Sequence, residues 1–432
     1  MERPGLIIIQ GRFIRGFSAK EIRMKRKIIL TLVLSLSLWR YGSTVELKSN
    51  ITTYFNSYQT QDLYTGEKTS FLRAYQSFKF DLNQIGTKNL SVHTYFRSTT
   101  DFLNENSTDP STKVYNAYID WKNIKKILDL RLGRQFLYVG VGNGTMDGFR
   151  FDFKPKVKVQ LTGYIGFQLP EDQWTKVDSW NKSHIFGGEL ATTYLRDTRF
   201  AVSYVQKERD KALEQHFIGV NATHRHCKLD FFSQFYYDLV YKKAQNFTLR
   251  GNGSSLWGKL YLSAEYQYRR PSIYSNSIFS VFKQDTYSIL RFNGAYQPVK
   301  NFKFSSEYDL TLYESGNSTR FRFGFEYAYI GLGMYLRRGY GGESNGVYGK
   351  LIYTLNKNFA FSASADYGRY KIDEEQESKD DVFALASRVE WEPVRNLRLA
   401  VELQDVRNKI RSYDLRLQGK ASYRFVLPFS RK

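Results

Sequence analysis

The feature that most limits what this chain can become is an alternation of polar and apolar residues at a period of two, sustained from Thr44 to Phe425. Between Tyr413 and Phe425 the odd positions Tyr413, Leu415, Leu417, Gly419, Ala421, Tyr423 and Phe425 are apolar or small. The even ones, Asp414, Arg416, Gln418, Lys420, Ser422 and Arg424, are polar. Phe321 to Tyr329 and Leu260 to Tyr268 repeat the pattern, as do Phe302 to Leu312, Phe359 to Tyr367 and Leu397 to Leu403. Successive side chains of a strand point to opposite faces, so each stretch reads as a strand with one apolar face. Helical spacing never lasts beyond a turn or two. A mean hydropathy of −0.49 excludes a bundle of membrane helices. The single cysteine, Cys227, excludes a disulfide framework and any multi-cysteine metal module.

Proline cannot donate to a ladder and should fall between strands. Pro110, Pro170 and Pro271 lie in polar stretches, Pro155, Pro298 and Pro393 in tight connections, and Pro428 after the last strand. One set of connections is short and alike: Gln297-Pro298-Val299-Lys300-Asn301, Glu392-Pro393-Val394-Arg395-Asn396, Asn356-Lys357-Asn358 and Lys122-Asn123-Ile124-Lys125. The other set is generally longer and polar or acidic: Asp101 to Pro110, Gln168 to Ser183, Arg270 to Phe282 and Lys371 to Asp381. Short turns on one edge and longer loops on the other define an up-and-down meander, tallied at about 22 strands, with 18 to 22 expected and an even number required.

A soluble sandwich also alternates. Three features favour a membrane barrel. Nearly every strand is amphipathic, whereas a soluble fold of 432 residues splits into domains or buries some strands on both faces. Trp121, Tyr296, Tyr353 and Trp391 recur just before the short turns, as an interfacial aromatic girdle requires. An export signal comes first: Met24, then Lys25-Arg26-Lys27, the 11-residue apolar run Ile28 to Leu38, and the small pair Gly42-Ser43. The expected division is therefore an upstream extension over 1–23, a signal peptide over 24–43, one transmembrane barrel over 44–426 and a short tail over 427–432. Strands follow the signal almost at once, so no plug domain is expected.

The net charge of +22 includes the leader. Residues 1–43 hold 9 Lys+Arg and 2 Asp+Glu, leaving 55 basic against 40 acidic residues, a net +15. A Lys or Arg facing lipid costs about 2 to 4 kcal/mol near the midplane, so the charged parity must line the lumen. Parity places Arg131, Arg150, Lys259, Arg269, Lys303, Arg320, Arg322, Arg388, Arg398, Arg416, Lys420 and Arg424 there, with Glu265, Glu307, Asp309 and Glu326 among the opposing acids. Such a ladder stiffens a polar wall, and its basic excess favours anionic solutes.

Leu128 to Phe151, with Leu130-Arg131-Leu132-Gly133-Arg134-Gln135 ahead of Gly140-Val141-Gly142-Asn143-Gly144, resembles a strand-loop-strand of bacterial outer-membrane porins, including the alginate-export and carbohydrate-porin groups. Tyr423-x-Phe425 resembles the aromatic C-terminal strand recognised by the barrel assembly machinery, although this chain continues to Lys432. The resemblance implies a Gram-negative outer-membrane channel among lipid and lipopolysaccharide.

Other chemistry is sparse. The glycine loop lacks the G-x-G-x-x-G spacing and opens no helix, so it reads as a connection between strands. His224, His226 and Cys227 lack a fourth metal ligand, and with His93, His184 and His216 they single out no nucleophile. The acidic run Asp373, Glu374, Glu375, Glu377, Asp380, Asp381 reads as a solvated loop, with divalent cations shared with surface lipid as the sharper alternative. Basic residues follow strands, with no nucleic-acid motif. The expected function is passive diffusion of small hydrophilic, anionic solutes, with no catalytic step, metal or cofactor. Export of an anionic polysaccharide is the alternative, followed by a barrel enzyme and a structural barrel.

Overall fold

The computed structural model describes residues 45–61, 65–104, 110–170, 175–254, 258–271, 285–371, 378–409 and 414–429. The expected leader segments 1–23 and 24–43, Tyr413 and the acids from Asp373 to Glu377 lie outside them. The strands begin β1 (Val45–Gln61), β2 (Lys68–Asn83), β3 (Leu90–Asp101), β4 (Ser111–Ile124), β5 (Leu128–Val139), β6 (Gly142–Phe153) and β7 (Val159–Gln168). Next come β8 (Ser183–Thr192), β9 (Thr198–Arg209), β10 (Ala212–His226), β11 (Leu229–Asp238), β12 (Lys243–Ser254), β13 (Leu260–Arg269), β14 (Tyr287–Val299) and β15 (Phe302–Tyr313). The last are β16 (Asn317–Tyr327), β17 (Ile330–Gly339), β18 (Glu343–Asn356), β19 (Phe359–Lys371), β20 (Asp380–Val394), β21 (Leu397–Asn408) and β22 (Leu415–Phe429).

Each strand pairs antiparallel with its chain neighbour, and β1 pairs with β22 from Val45↔Phe429 to Ser57↔Leu417, closing the sheet into an all-β transmembrane barrel of 22 strands. Closure satisfies the backbone within the sheet, which an open edge in lipid cannot do. β22 runs on to Phe429, so the barrel extends past the expected limit of Val426, and Pro428 sits inside this strand opposite Glu46. Pro298 and Pro393, expected in turns, lie in the last residues of β14 and β20. There the register shifts between Tyr296 and Val299, and between Trp391 and Val394, because a bulge spares the ladder a missing donor.

The outward face carries no packed core. Exposed large apolar residues, among them Leu132, Leu262, Phe292, Val347, Val401 and Leu417, cover it, and Trp121, Tyr296, Tyr353 and Trp391 are exposed near its turn rim. The enclosed apolar cluster lies on the opposite, charged face and joins residues of β5 and β6 to those of β7, β8, β9 and β10.

Candidate functional site

The loop rim is uneven. The connection after β5 is only Gly140-Val141, and the one after β9 only Asp210-Lys211. The first of these joins a hairpin that leaves the wall. The β4–β5 ladder stops at Ala117↔Arg134 and the β6–β7 ladder at Met146↔Gln168, while β5 and β6 stay paired to Val139↔Gly142. Gly133, at φ 118, supplies the backbone turn just before the departure, a conformation that favours glycine.

Beyond that point the hairpin folds into the lumen and lies on the inner wall. Leu137 and Met146, both 0 % exposed, pack with Val139 and Val141 against Tyr164, Ile185, Val205 and Phe217, and Tyr236 joins the cluster. The wall residues share the lumen-facing parity of their strands. On β9, Val205 alternates with Phe200 and Val202 on the exposed face and stands with Ser203 and Lys207. Polar contacts fix the tip: Val141 N donates to Ser203 Oγ at 3.1 Å, Lys207 Nζ to the Asn143 carbonyl at 2.6 Å and Tyr236 Oη to the Gly140 carbonyl at 3.3 Å. The glycines are there for contact. A Cβ on Gly140 would run into Ser203, and one on Gly142 into the Tyr164 hydroxyl. The hairpin's other face turns Phe136 and Tyr138 to the open side, 58 % and 76 % exposed.

Arg134 fastens the departure point. Its guanidinium grips Asp147 with Nε to Oδ1 at 2.7 Å and Nη2 to Oδ2 at 2.6 Å, and also donates to the carbonyls of Val114 on β4 and Lys176 in the loop after β7. Arg134 is 6 % exposed. A forked donor suits this role, since it binds a carboxylate at two points and keeps further N–H groups for the backbone.

The rest of the polar face is a chain of ion pairs across strands. Glu265 on β13 accepts from Arg291 on β14 at 3.1 Å and lies 3.6 Å from Arg250 on β12. Arg291 reaches Asp309 on β15 at 2.9 Å, and Arg320 on β16 reaches Glu307 at 2.6 Å and Asp309 at 2.5 Å. Arg322 stands opposite Glu307 in register, and Lys303 opposite Glu326, which itself pairs with Lys350.

Of the remaining sequence-selected positions, Arg131 pairs with Asp120 at 3.2 Å and lies over the Tyr118 ring, and Arg150 pairs with Asp152 at 2.9 Å. Arg388 joins Glu390 and Glu402, Arg398 joins Glu392, and Arg416 joins Asp414. Arg269 ends β13 at the loop rim. Lys420 and Arg424 share the parity of Arg416 on β22, and no carboxylate among the described residues lies within 4.0 Å of either. Lys259 differs from its sequence assignment: it precedes β13 in a turn, where strand parity no longer decides direction.

Sequence parity missed Arg134, Asp147 and Arg291. Arg134 shares its parity with Leu132 and Phe136, and only the glycine before it hints at a change of course. Arg291 shares a face with Tyr287 and Ile289, so its strand does not alternate cleanly. His224 and His226 stack at 6.2 Å on β10, and no group of three or more His, Cys, Asp or Glu residues suited to a metal occurs among the described residues.

The geometry defines a membrane barrel whose polar lumen is narrowed by one of its own hairpins. No family model matches the chain. No curated protein matches it in sequence. Solved structures similar to it include OccAB3 of Acinetobacter baumannii, at TM-score 0.44 and 12% identity, covering 89% of this chain and 99% of that one. Others are the outer membrane protein opdK of Pseudomonas aeruginosa, at 0.45 and 8%, and a BenF-like porin of Pseudomonas fluorescens Pf-5, at 0.45 and 9%, each with the same coverage.

Proposed function

We propose that this protein is an outer-membrane, porin-like channel for the passive diffusion of small hydrophilic, anionic solutes. The observation that carries this reading is the hairpin of β5 and β6, seated on the inner wall by its apolar side and presenting its other side to the opening. A barrel of 22 strands without such an element has a wide lumen. An element that takes up part of it sorts solutes by size, which favours small molecules over an extended polysaccharide. The rows of Arg and Lys on the polar parity, with Lys420 and Arg424 lacking a carboxylate neighbour among the described residues, favour anions. Export through the segment 24–43 and insertion by the barrel assembly machinery belong to the same reading.

Reconstitution in planar bilayers tests it. Stepwise conductance is expected, with a reversal potential in a salt gradient that reports anions crossing faster than cations. A folded, membrane-inserted barrel that passes no current, or one that prefers cations, overturns the proposal.

A further inference from the structure

Where the β5–β6 hairpin turns inward, it leaves the wall of the barrel short of a strand. β4 stays paired with β3 as far as Thr99↔Ser111, but its other side has no ladder beyond Ala117↔Arg134. Among the described residues no ladder joins β4 to β7. The bend follows one register row, Gly133↔Gly148 and Gly148↔Gly166, where a Cβ on Gly148 or Gly166 would run into the backbone of the neighbouring strand. Ala117 lies four residues along β4 from the exposed Trp121 of the turn rim. A tilted strand gains about 2.5 Å of height per residue, so the break begins about 10 Å inside an apolar band about 25 Å tall.

The frame of this break is apolar on both sides of the wall. The last complete outward row below it is Ile119, Leu132, Phe149 and Ile165, all exposed. The row above holds a charged pair on the same outward parity, Arg134 and Asp147. The guanidinium binds the Val114 carbonyl on the bare side of β4 at 3.2 Å and the Lys176 carbonyl at 2.6 Å. Lys176 belongs to the loop after β7, whose Trp180 meets Phe167 edge-on at 6.0 Å on the far side of the break. Past the ion pair the same face of β5 continues as Phe136 and Tyr138, both open to the lumen. One face of β5 therefore runs from lipid, past a single ion pair, into the interior.

A wall that only had to keep solute inside would finish this row with apolar side chains. A buried ion pair is a costly filler at membrane depth, because each charge gives up its hydration. Parting the pair leaves an apolar passage, with Leu132 and Phe149 on the lipid side and Phe136 and Tyr138 on the lumen side. Flat apolar rings pack well on aromatic side chains and gain by leaving water for hydrocarbon, whereas hydrophilic ions gain nothing from such an exit. We propose that the departure point of the hairpin is a lateral portal, through which small apolar aromatic molecules pass between the lumen and the hydrocarbon of the bilayer, with Arg134 and Asp147 as its bar. This inference rests on the transmembrane barrel and is independent of which ions cross the lumen.

The test is photolabelling of the full barrel in lipid vesicles with trifluoromethyl phenyl diazirine, an apolar aromatic probe dissolved in the bilayer, with labelled residues read by mass spectrometry. Leu132 and Phe149 should be labelled in every protein, because they face lipid. In the wild type the label should extend to Phe136 and Tyr138. Val114→Trp/Ile165→Trp fills the lipid-side mouth with apolar bulk and should lose the label at those two residues. Arg134→Ala/Asp147→Ala removes the bar and should raise it. A water-soluble diazirine carboxylate, which arrives through the lumen, should label Phe136 and Tyr138 equally in the wild type and the mouth variant. These two proteins should also conduct ions alike, which separates failure here from failure of the channel reading. Wild-type label that stops at Leu132 and Phe149, label at Phe136 and Tyr138 that survives in the mouth variant, a bar variant labelled no more than wild type, or a mouth variant that loses label from both probes each overturns the inference.

Discussion

Arg134 meets Asp147 through two parallel hydrogen bonds at the one place where the wall of the barrel gives up a hairpin. The pair sits where the β4–β5 ladder ends, and the guanidinium also binds the Val114 carbonyl, so a side chain takes over where a neighbouring strand stops. Membrane-depth backbone needs such a partner.

Removing one member of a buried pair leaves an uncompensated charge. Arg134→Ala should therefore lower stability by about 3 to 5 kcal/mol, measured by urea titration of the barrel in lipid vesicles. The double variant Arg134→Ala/Asp147→Ala should cost less than the single one, and the single variant should show larger or noisier single-channel conductance. Equal losses for single and double variants would count against the pair as the fastener.

Gly140→Ala places a methyl group against Ser203. The hairpin tip must lift, and single-channel conductance should rise while the barrel still inserts and resists unfolding in detergent. Adding Ser203→Gly makes room and should bring conductance part of the way back, although it gives up the Val141 hydrogen bond.

Lys420→Glu/Arg424→Glu reverses two lumen-parity charges that no described carboxylate neutralises. The anion-to-cation permeability ratio, read as a reversal potential across a salt gradient, should fall. Arg150→Gln should change it less, because Asp152 already offsets that charge at 2.9 Å. An unchanged ratio in the double variant would remove these two residues from the selectivity argument.

Val401, 55 % exposed on the outward face of β21, reports the orientation of the wall. Val401→Arg should destabilise the inserted barrel by about 2 to 4 kcal/mol. Gln404→Arg, on the opposite face beside Glu402, should cost under about 1 kcal/mol, within the usual range for a substitution away from packed features.

Much of the architecture was legible because a barrel in lipid obeys one rule at every position. Alternation assigns both strand and face over Leu415 to Phe425 and Phe321 to Tyr327, and the tally of about 22 strands matches the closed sheet. The ends of strands were less legible. Pro298, Pro393 and Pro428 look like breakers in the sequence, yet bulges and strand ends accommodate them. The narrowing element was hidden for a different reason. Leu128 to Leu132 alternates like every wall strand, but Phe136 to Val139 is apolar on both parities, a run that reads equally as a wall strand covered on both faces or as a hairpin turned inward, with Leu137 and Val139, on the parity of Arg131, meeting the inner wall. What separates the two is where each ladder stops, and that depends on residues far away in sequence, such as Ser203 and Val205.

The narrowing element is itself a paired hairpin whose cross-strand ladder is complete to its tip. Its reach therefore changes in discrete steps. Inserting one residue into each strand lengthens the projection by about 3.4 Å but swaps which side chains meet the wall, while two residues in each restore the faces and add about 7 Å. Aperture in such a barrel is set by register and comes in even increments, so channels of graded width can arise from whole residue pairs gained or lost at one turn.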